Sequence, residues 1–337
     1  MKLTSVAAML FVYAASLQAE THRIVPEKLY RTFGNQNPVL LRIKSGDTVV
    51  TKTVDAAGYD DKNTKRHPES GNPLTGPFYV EGAEPGDGLA VVFKRIRMNR
   101  NSGWSAYRLC LYSLTPDTVE HVYSNQYKPD AAVPGRTTLV PWELDLEKQM
   151  VRLREPNSGR TKLEFPARPM LGCVGVAAPS DFAPISAISG PYGGNMDYNE
   201  LVEGVTVILP VFHPGALLYV GDGHALQADG EPTGTGIETS MDVEFTVEVR
   251  KNANLTNPRL ENSDYIISIG SQPEFQSPLD RALQIATSDM VRWLEKDYGL
   301  EPWAAHLLVG YQGRYDVVTV QGSMALRIPK RALPARN

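Results

Sequence analysis

The 337-residue chain is 42% apolar and 21% charged, with a formal net charge of −4. That composition supplies a full hydrophobic core and excludes a disordered chain, and the slight acidic balance, with no Lys/Arg cluster interleaved with aromatics, excludes a nucleic-acid surface. Two cysteines, Cys110 and Cys173, exclude a disulfide-stapled scaffold and a multi-cysteine zinc site. They read as one pair or as two separate buried thiols, and no catalytic role is assigned to them.

In chain order, the first segment combines Lys2, an apolar run from Val6 to Leu17 and the small Ala19 before Glu20. This pattern predicts a secretory signal over 1–19, with Leu17 an imperfect −3 residue, and a mature region 20–337 that is secreted or periplasmic. The run is too short to span a bilayer, so no permanent membrane anchor is expected. From Pro38 onward, short Val/Ile/Leu-rich runs separated by turns predict strands over Pro38–Ile43 and Thr48–Val54. Glu84-Pro85-Gly86-Asp87-Gly88 predicts a sharp corner between two further strands. Weaker strand signals at Thr137–Val140, Met150–Leu153 and Lys162–Phe165, broken by Pro134-Gly135 and Pro156-Asn157-Ser158-Gly159, suggest an inserted subdomain over about 101–165.

Met170–Val176 predicts a buried strand, and Thr206–Val211 with Ala216–Val220 predict a hairpin around His213-Pro214-Gly215, with His213 at its surface tip. Met241–Val249 alternates apolar and polar residues throughout, which predicts a half-buried strand. Ser277 as cap and Pro278 at the first position predict a helix whose Leu279, Leu283, Ala286, Met290 and Leu294 share one face. A short helix follows at Pro302–Leu308, where His306 reads as a structural residue beside core leucines. Strands near Asp316–Val320 and Ala325–Ile328 complete a mainly β fold with a small α+β part near the C-terminus.

Chemistry concentrates in Gly190–Asp242, which sets Asp197, His213, Asp222, His224, Asp229, Glu231 and Glu238 among glycine-rich turns between apolar strands. Converging ligands need a tightly bending backbone, which glycine permits, although exposed hairpin turns favour Gly and Asp too. An extended Asp222 and His224 would face the same side of a strand. One imidazole and one carboxylate at a common point suit a metal with mixed N and O ligands; a solvated or calcium-stabilised turn is the plainer alternative.

Pro73–Asp87 (PLTGPFYVEGAEPGD), Gly193–Asp197 (GGNMD), Leu209–Val211 (LPV) and Gly221–Glu231 (GDGHALQADGE), in that order, resemble the motifs of the acetamidase/formamidase family. The likeness runs from about Val39 to Pro329. It implies a β-sandwich or barrel that hydrolyses a small formamide- or acetamide-like amide to carboxylate and ammonia, with a divalent metal, zinc before calcium, in a homodimer or higher homo-oligomer. With the resemblance, the expected metal ligands are His224, Asp222 and Asp55. Glu231, Asp229 and Glu84 are expected to carry protons, Asp197 and Glu81 to support them, and Asn195 and Gln227 to hydrogen-bond the substrate. Two departures stand out: Ala228, where family members often have Gly, and the loop around Gly58 and His67, whose role the sequence leaves open. The competing reading is a non-catalytic extracytoplasmic β-sandwich that binds a small polar ligand or calcium.

Overall fold

The computed structural model describes residues 19–110, 113–122, 139–154, 160, 162–271 and 278–336. The segment 1–18, the turns at 134–135 and 156–159, and the predicted cap Ser277 lie outside them. Two large sheets form the body. The first has nine strands in the spatial order Thr21–Arg23, Thr48–Lys52, Met241–Arg250, Gly88–Met98, Thr206–Pro210, Arg259–Glu261, Tyr265–Gly270, Ser323–Pro329 and Arg314–Thr319. The second has eleven. Its main path runs Ser189–Gly190, Gly193–Asn195, Met170–Gly175, Leu218–His224, Glu238–Thr239, Ser102–Ala106, Leu139–Asp145, Met150–Leu153 and Glu164–Pro166. Thr75–Val80 and Leu41–Ile43 branch from Leu218–His224.

The inner faces of the two sheets share one core. Met241–Arg250 shows why: Met241, Val243, Phe245 and Val247 are buried while the intervening Asp242, Glu244 and Thr246 are half-buried, the period-2 pattern of a strand with one core face. Phe245 of the first sheet meets Phe78 of the second edge-on, with centroids 5.4 Å apart. A second core lies on the outer face of the first sheet, where Ala286, Met290, Trp293 and Leu294 of the helix Leu279–Tyr298 cover Ala90, Ile208, Ile266 and Leu326. The helix begins one residue later than its sequence predicts, with Pro278 at the cap position, and stops at Gly299, whose left-handed φ of 63° only glycine adopts at no cost.

The predicted hairpin around His213 does not form. Thr206–Pro210 pairs in the first sheet and Leu218–His224 in the second, so Pro214-Gly215 carries the chain across the sandwich. His213 is half-buried there, its Nε2 2.7 Å from the Ala178 carbonyl oxygen. The described strands of 101–165 continue the second sheet, joined to it where Trp104 pairs with Glu238. The helix Pro302–Gln312 is longer than expected and turns outward: His306 is exposed, as are Trp303, Leu307 and Tyr311, because only Ala305 of this helix is buried. Cys110 and Cys173 are both free thiols. No described helix is long and apolar enough to cross a membrane.

The corner at Glu84–Gly88 carries the chain from the second sheet to the first, and Asp87 holds it. Its Oδ2 accepts the Glu84 N–H (2.9 Å) and the Lys251 ammonium, and its Oδ1 accepts the Asn252 N–H (2.9 Å). Burial alone would raise this carboxyl; the Lys251 charge and the two amides outweigh it and hold the pKa below the ordinary carboxylate value. A depressed pKa gives stability that is present above the unfolded value, near 4, and lost as pH falls through the folded one. Asp87→Asn is therefore expected to cost about 1–3 kcal/mol at pH 7. Thermal unfolding at pH 7 and pH 3 checks this: the gap between wild type and variant should narrow in acid, and an equal gap at both would disprove the electrostatic account.

Candidate functional site

Five buried side chains converge at one end of Leu218–His224. Asp222 and His224 come from that strand, and Glu238 comes from the short strand beside it, in register with His224. Asp197 follows Gly193–Asn195, which borders Met170–Gly175, and Glu231 lies midway along the loop 225–237 that joins His224 to Glu238. The atoms of Asp222, His224 and Glu238 that could ligate a metal lie within 4.8 Å of one another, and the same holds for Asp197, His224 and Glu231. His224 Nε2 is 3.1 Å from Glu238 Oε1 and 3.6 Å from Asp222 Oδ1.

The backbone is strained to achieve this. Asp197 (φ 46°), Asp222 (φ 57°) and Glu231 (φ 46°) all adopt left-handed conformations that cost a side-chain-bearing residue roughly 1–3 kcal/mol, a cost that clusters at working sites. Asp222 is thus not extended, and its carboxylate reaches His224 by a local twist of the strand rather than by simple alternation. Two glycines keep the centre open. A Cβ at Gly172 would strike the carboxylates of Asp197 and Asp222, and one at Gly236 would strike the His224 ring. Ala228, by contrast, has no positive φ; Gly230 (φ 82°) and Glu231 make the bend, so alanine is accommodated.

Hydrogen bonds fix the orientation of each group. Gln227 Nε2 donates to the Asp197 carbonyl (2.5 Å), which turns its Oε1 toward His224 Nδ1 at 2.7 Å. Because that oxygen can only accept, Nδ1 carries the proton and Nε2 points its other valence into the cluster. Asn72 Nδ2 donates to Asp222 Oδ2 and to Asn195 Oδ1, both at 2.9 Å, and Asn195 donates to Asp197 Oδ2. Asp197 Oδ1, Asp222 Oδ1, Glu238 Oε2 and His224 Nε2 are left without a hydrogen-bond partner, the 3.1 Å approach of His224 to Glu238 falling outside hydrogen-bond geometry.

Four carboxyls crowded away from water repel one another. Burial and the Asp222 charge push Asp197 up to about 7, and burial pushes Glu238 up to about 8 against the opposing pull of His224. Burial and the Asp197 charge raise Glu231 well above the carboxylate range. His224 would be lowered by burial, but Glu238 and Asp222 override it and raise it. Every shift favours an added positive charge, which protons or a cation can supply. Orphaned acceptors, a mixed nitrogen and oxygen donor set and glycine-cleared space together fit a divalent metal. Burial and the charges of Asp222 and Asp197 also raise Cys173, whose Sγ lies 3.0 Å from Asn195 Oδ1, so its thiol stays protonated and is no nucleophile.

Of the residues expected from sequence, His224, Asp222, Glu231 and Asp197 are brought together. Asp55 is not among them: its Oδ1 accepts the Ala57 and Tyr59 amides and its Oδ2 accepts Arg100 and Trp104, which leaves nothing for a metal. Glu84 and Glu81 are exposed at the turn after Thr75–Val80, and Asp229 is exposed with its Oδ1 2.7 Å from Asn199 Nδ2. All three are exposed and stand apart from the converging side chains. Asn195 and Gln227 use their amides on the cluster itself rather than offering them to a substrate. His67 closes its own loop, Nδ1 2.8 Å from the Glu69 carbonyl. Glu238, Asn72 and Gly172 were not assigned a role from sequence. Only Glu238 carried a signal, as an acid in the same glycine-rich stretch.

A family model described as the Acetamidase/Formamidase family matches residues 185–316, which contain all five converging residues. "Putative formamidase C869.04" of Schizosaccharomyces pombe is 26% identical over 258 residues, 64% of this chain, and the match spans 62% of that relative's length. An acetamidase structure from Yersinia enterocolitica aligns with a TM-score of 0.77 at 28% identity, covering 96% of each chain. A predicted acetamidase/formamidase from Thermoanaerobacter tengcongensis aligns at 0.74 and 28% identity, over 93% of this chain and 97% of that one. The matched segment carries the cluster, and the likeness in fold to the acetamidase and acetamidase/formamidase structures extends over nearly all of the chain.

Proposed function

We propose that the chain hydrolyses the carbon–nitrogen bond of a primary amide, releasing a carboxylate and ammonia, and that it does so with a divalent metal, zinc in the first instance. The observation that carries this reading is the set of unpartnered buried atoms, His224 Nε2, Asp222 Oδ1 and Glu238 Oε2, on three side chains whose ligand atoms converge. A buried imidazole among the ligands favours zinc over calcium, which prefers oxygen alone. Asp222, His224 and Glu238 would hold the ion, and Gln227 and Asn72 would fix two of them in orientation. When bound, such an ion acidifies water and polarises a carbonyl.

The rest of the chemistry falls to the chain. Amides resist hydrolysis because the carbonyl carbon is weakly electrophilic and the nitrogen leaves poorly without a proton. Glu231 is the most exposed of the five, at 6%, and lines an adjoining cavity, so it is the carboxyl best placed to meet a substrate. A carboxyl in that position can take a proton from the attacking water and give it to the nitrogen as the C–N bond breaks.

Metal analysis of the purified protein beside an ammonia-release screen of short amides tests the reading. The expectation is about one equivalent of metal per site and ammonia release that chelation abolishes. Turnover that survives exhaustive chelation rejects the metal; no ammonia from any amide, with calcium bound, would instead favour a binding module.

A further inference from the structure

We propose that the amide taken by this chain carries an apolar group much larger than the methyl of acetamide, an aryl or branched alkyl group, housed in the cavity beside Glu231. The inference rests on the amidase reading above and names the substrate class for it. The cavity measures about 470 Å³, within the range of roughly 300–1,000 Å³ that buries drug-sized ligands. Acetamide, with four heavy atoms, would leave most of it empty, and a wall with no facing atoms forfeits its dispersion contacts.

The walls state what would fill it. Trp142, Phe165, Leu153, Leu226 and Ile237 supply the lining, with Trp142 and Phe165 rings tilted at 39° and 6.4 Å apart. Several polar groups in the same wall are engaged with one another or with the backbone. Trp142 Nε1 donates to Ser105 Oγ (2.9 Å), Ser105 Oγ donates to the Ala106 carbonyl (2.7 Å), Thr235 Oγ1 accepts the Ala106 N–H (2.9 Å), and Thr233 Oγ1 donates to the Thr235 carbonyl (2.8 Å). Gln227, at the floor, spends its amide on His224 and Asp197. Among the described lining residues, Glu231 is the one charged side chain. A ligand in this cavity therefore finds ionic chemistry at a single end, next to His224, and apolar surface elsewhere. A charged side group away from Glu231 would lose its water and meet no opposite charge among the described lining residues, so it is selected against. Phe165 and Leu163 remain 40% and 39% exposed at the cavity edge, which leaves apolar surface for the far end of a longer group.

Kinetics on the metal-loaded protein with acetamide and phenylacetamide, each followed by ammonia release, test the proposal. The expected kcat/KM ratio favours phenylacetamide by at least about a hundredfold, since one methylene in an apolar pocket is worth about 10- to 200-fold. Phe165→Ala, at a partly exposed wall position, should lower kcat/KM for phenylacetamide about tenfold and leave acetamide within about twofold. A ratio at or below one, or an equal loss for both substrates in the variant, overturns the proposal while ammonia release from acetamide leaves the amidase reading intact. If no amide of the screen is hydrolysed, that reading fails, and calorimetric titration with phenylacetamide as a stable ligand decides the cavity's role. Binding weakened by Phe165→Ala supports it; no binding, or binding unchanged by the substitution, overturns it.

Discussion

Glu231→Gln is expected to lower kcat for amide hydrolysis by about 10²- to 10⁴-fold, the usual worth of a positioned acid or base, with KM and metal content little changed. The substitution keeps the shape and removes the exchangeable proton. It also removes a carboxyl that sits among Asp197, Glu238 and Asp222, so the fold should not suffer from losing it. Glu231 belongs to one of the two convergent sets and Glu238 to the other, with His224 common to both. Steady-state kinetics and elemental analysis on the same preparation separate their roles. A kcat within about tenfold of wild type removes Glu231 from proton transfer, and metal lost in proportion to activity makes it a ligand instead.

The split between the two sets shows where the sequence is informative. Asp222, His224 and Glu231 stand within ten residues, and that local density of acids, imidazole and glycine is visible in the linear chain. Glu238 joins them by a cross-strand register with His224, and the gap that admits Asp197 and Asp222 is made by Gly172, fifty residues before Asp222. Such pairings depend on which strands lie side by side, which no local pattern encodes. The same limit governs the fold. Met241–Arg250 could be read because burial on one face imposes a period of two, and the segment Met150–Leu153 coincides with its strand. The strands flanking His213-Pro214-Gly215 could be read too, but not their pairing, because a hairpin turn and a crossing between sheets use the same Gly and Pro chemistry and differ only in their distant partners. Acids in turns misled for a related reason. Glu84 and Asp229 occupy glycine-rich turns as Glu231 does, and only the third dimension separates a carboxylate facing solvent from one facing the cluster.

Asp55→Ala is expected to destabilise the protein by about 3–5 kcal/mol while leaving its metal content unchanged. The carboxylate accepts four hydrogen bonds: the Ala57 amide at 3.0 Å, the Tyr59 amide at 2.8 Å, Arg100 Nη2 at 2.8 Å and Trp104 Nε1 at 3.1 Å. Both members of the ion pair are buried, the Arg100 side chain at 4% exposure and that of Asp55 at 1%. Removing one partner strands the guanidinium in a medium that cannot solvate it, which accounts for the size of the effect. The other Arg100 nitrogens bond to the carbonyls of Ser102, Tyr59 and Asp60, so the side chain is anchored on several sides and has no easy route to water. For a chain of this size the midpoint of thermal unfolding should fall by roughly ten degrees. Trp104 pairs with Glu238 across the strands, so some loss of activity can reach the cluster through that neighbour. Metal stoichiometry is therefore the deciding measurement: a folded Asp55→Ala protein that binds its full metal assigns Asp55 to the frame of the site, and one that stays folded but loses the metal restores it as a ligand.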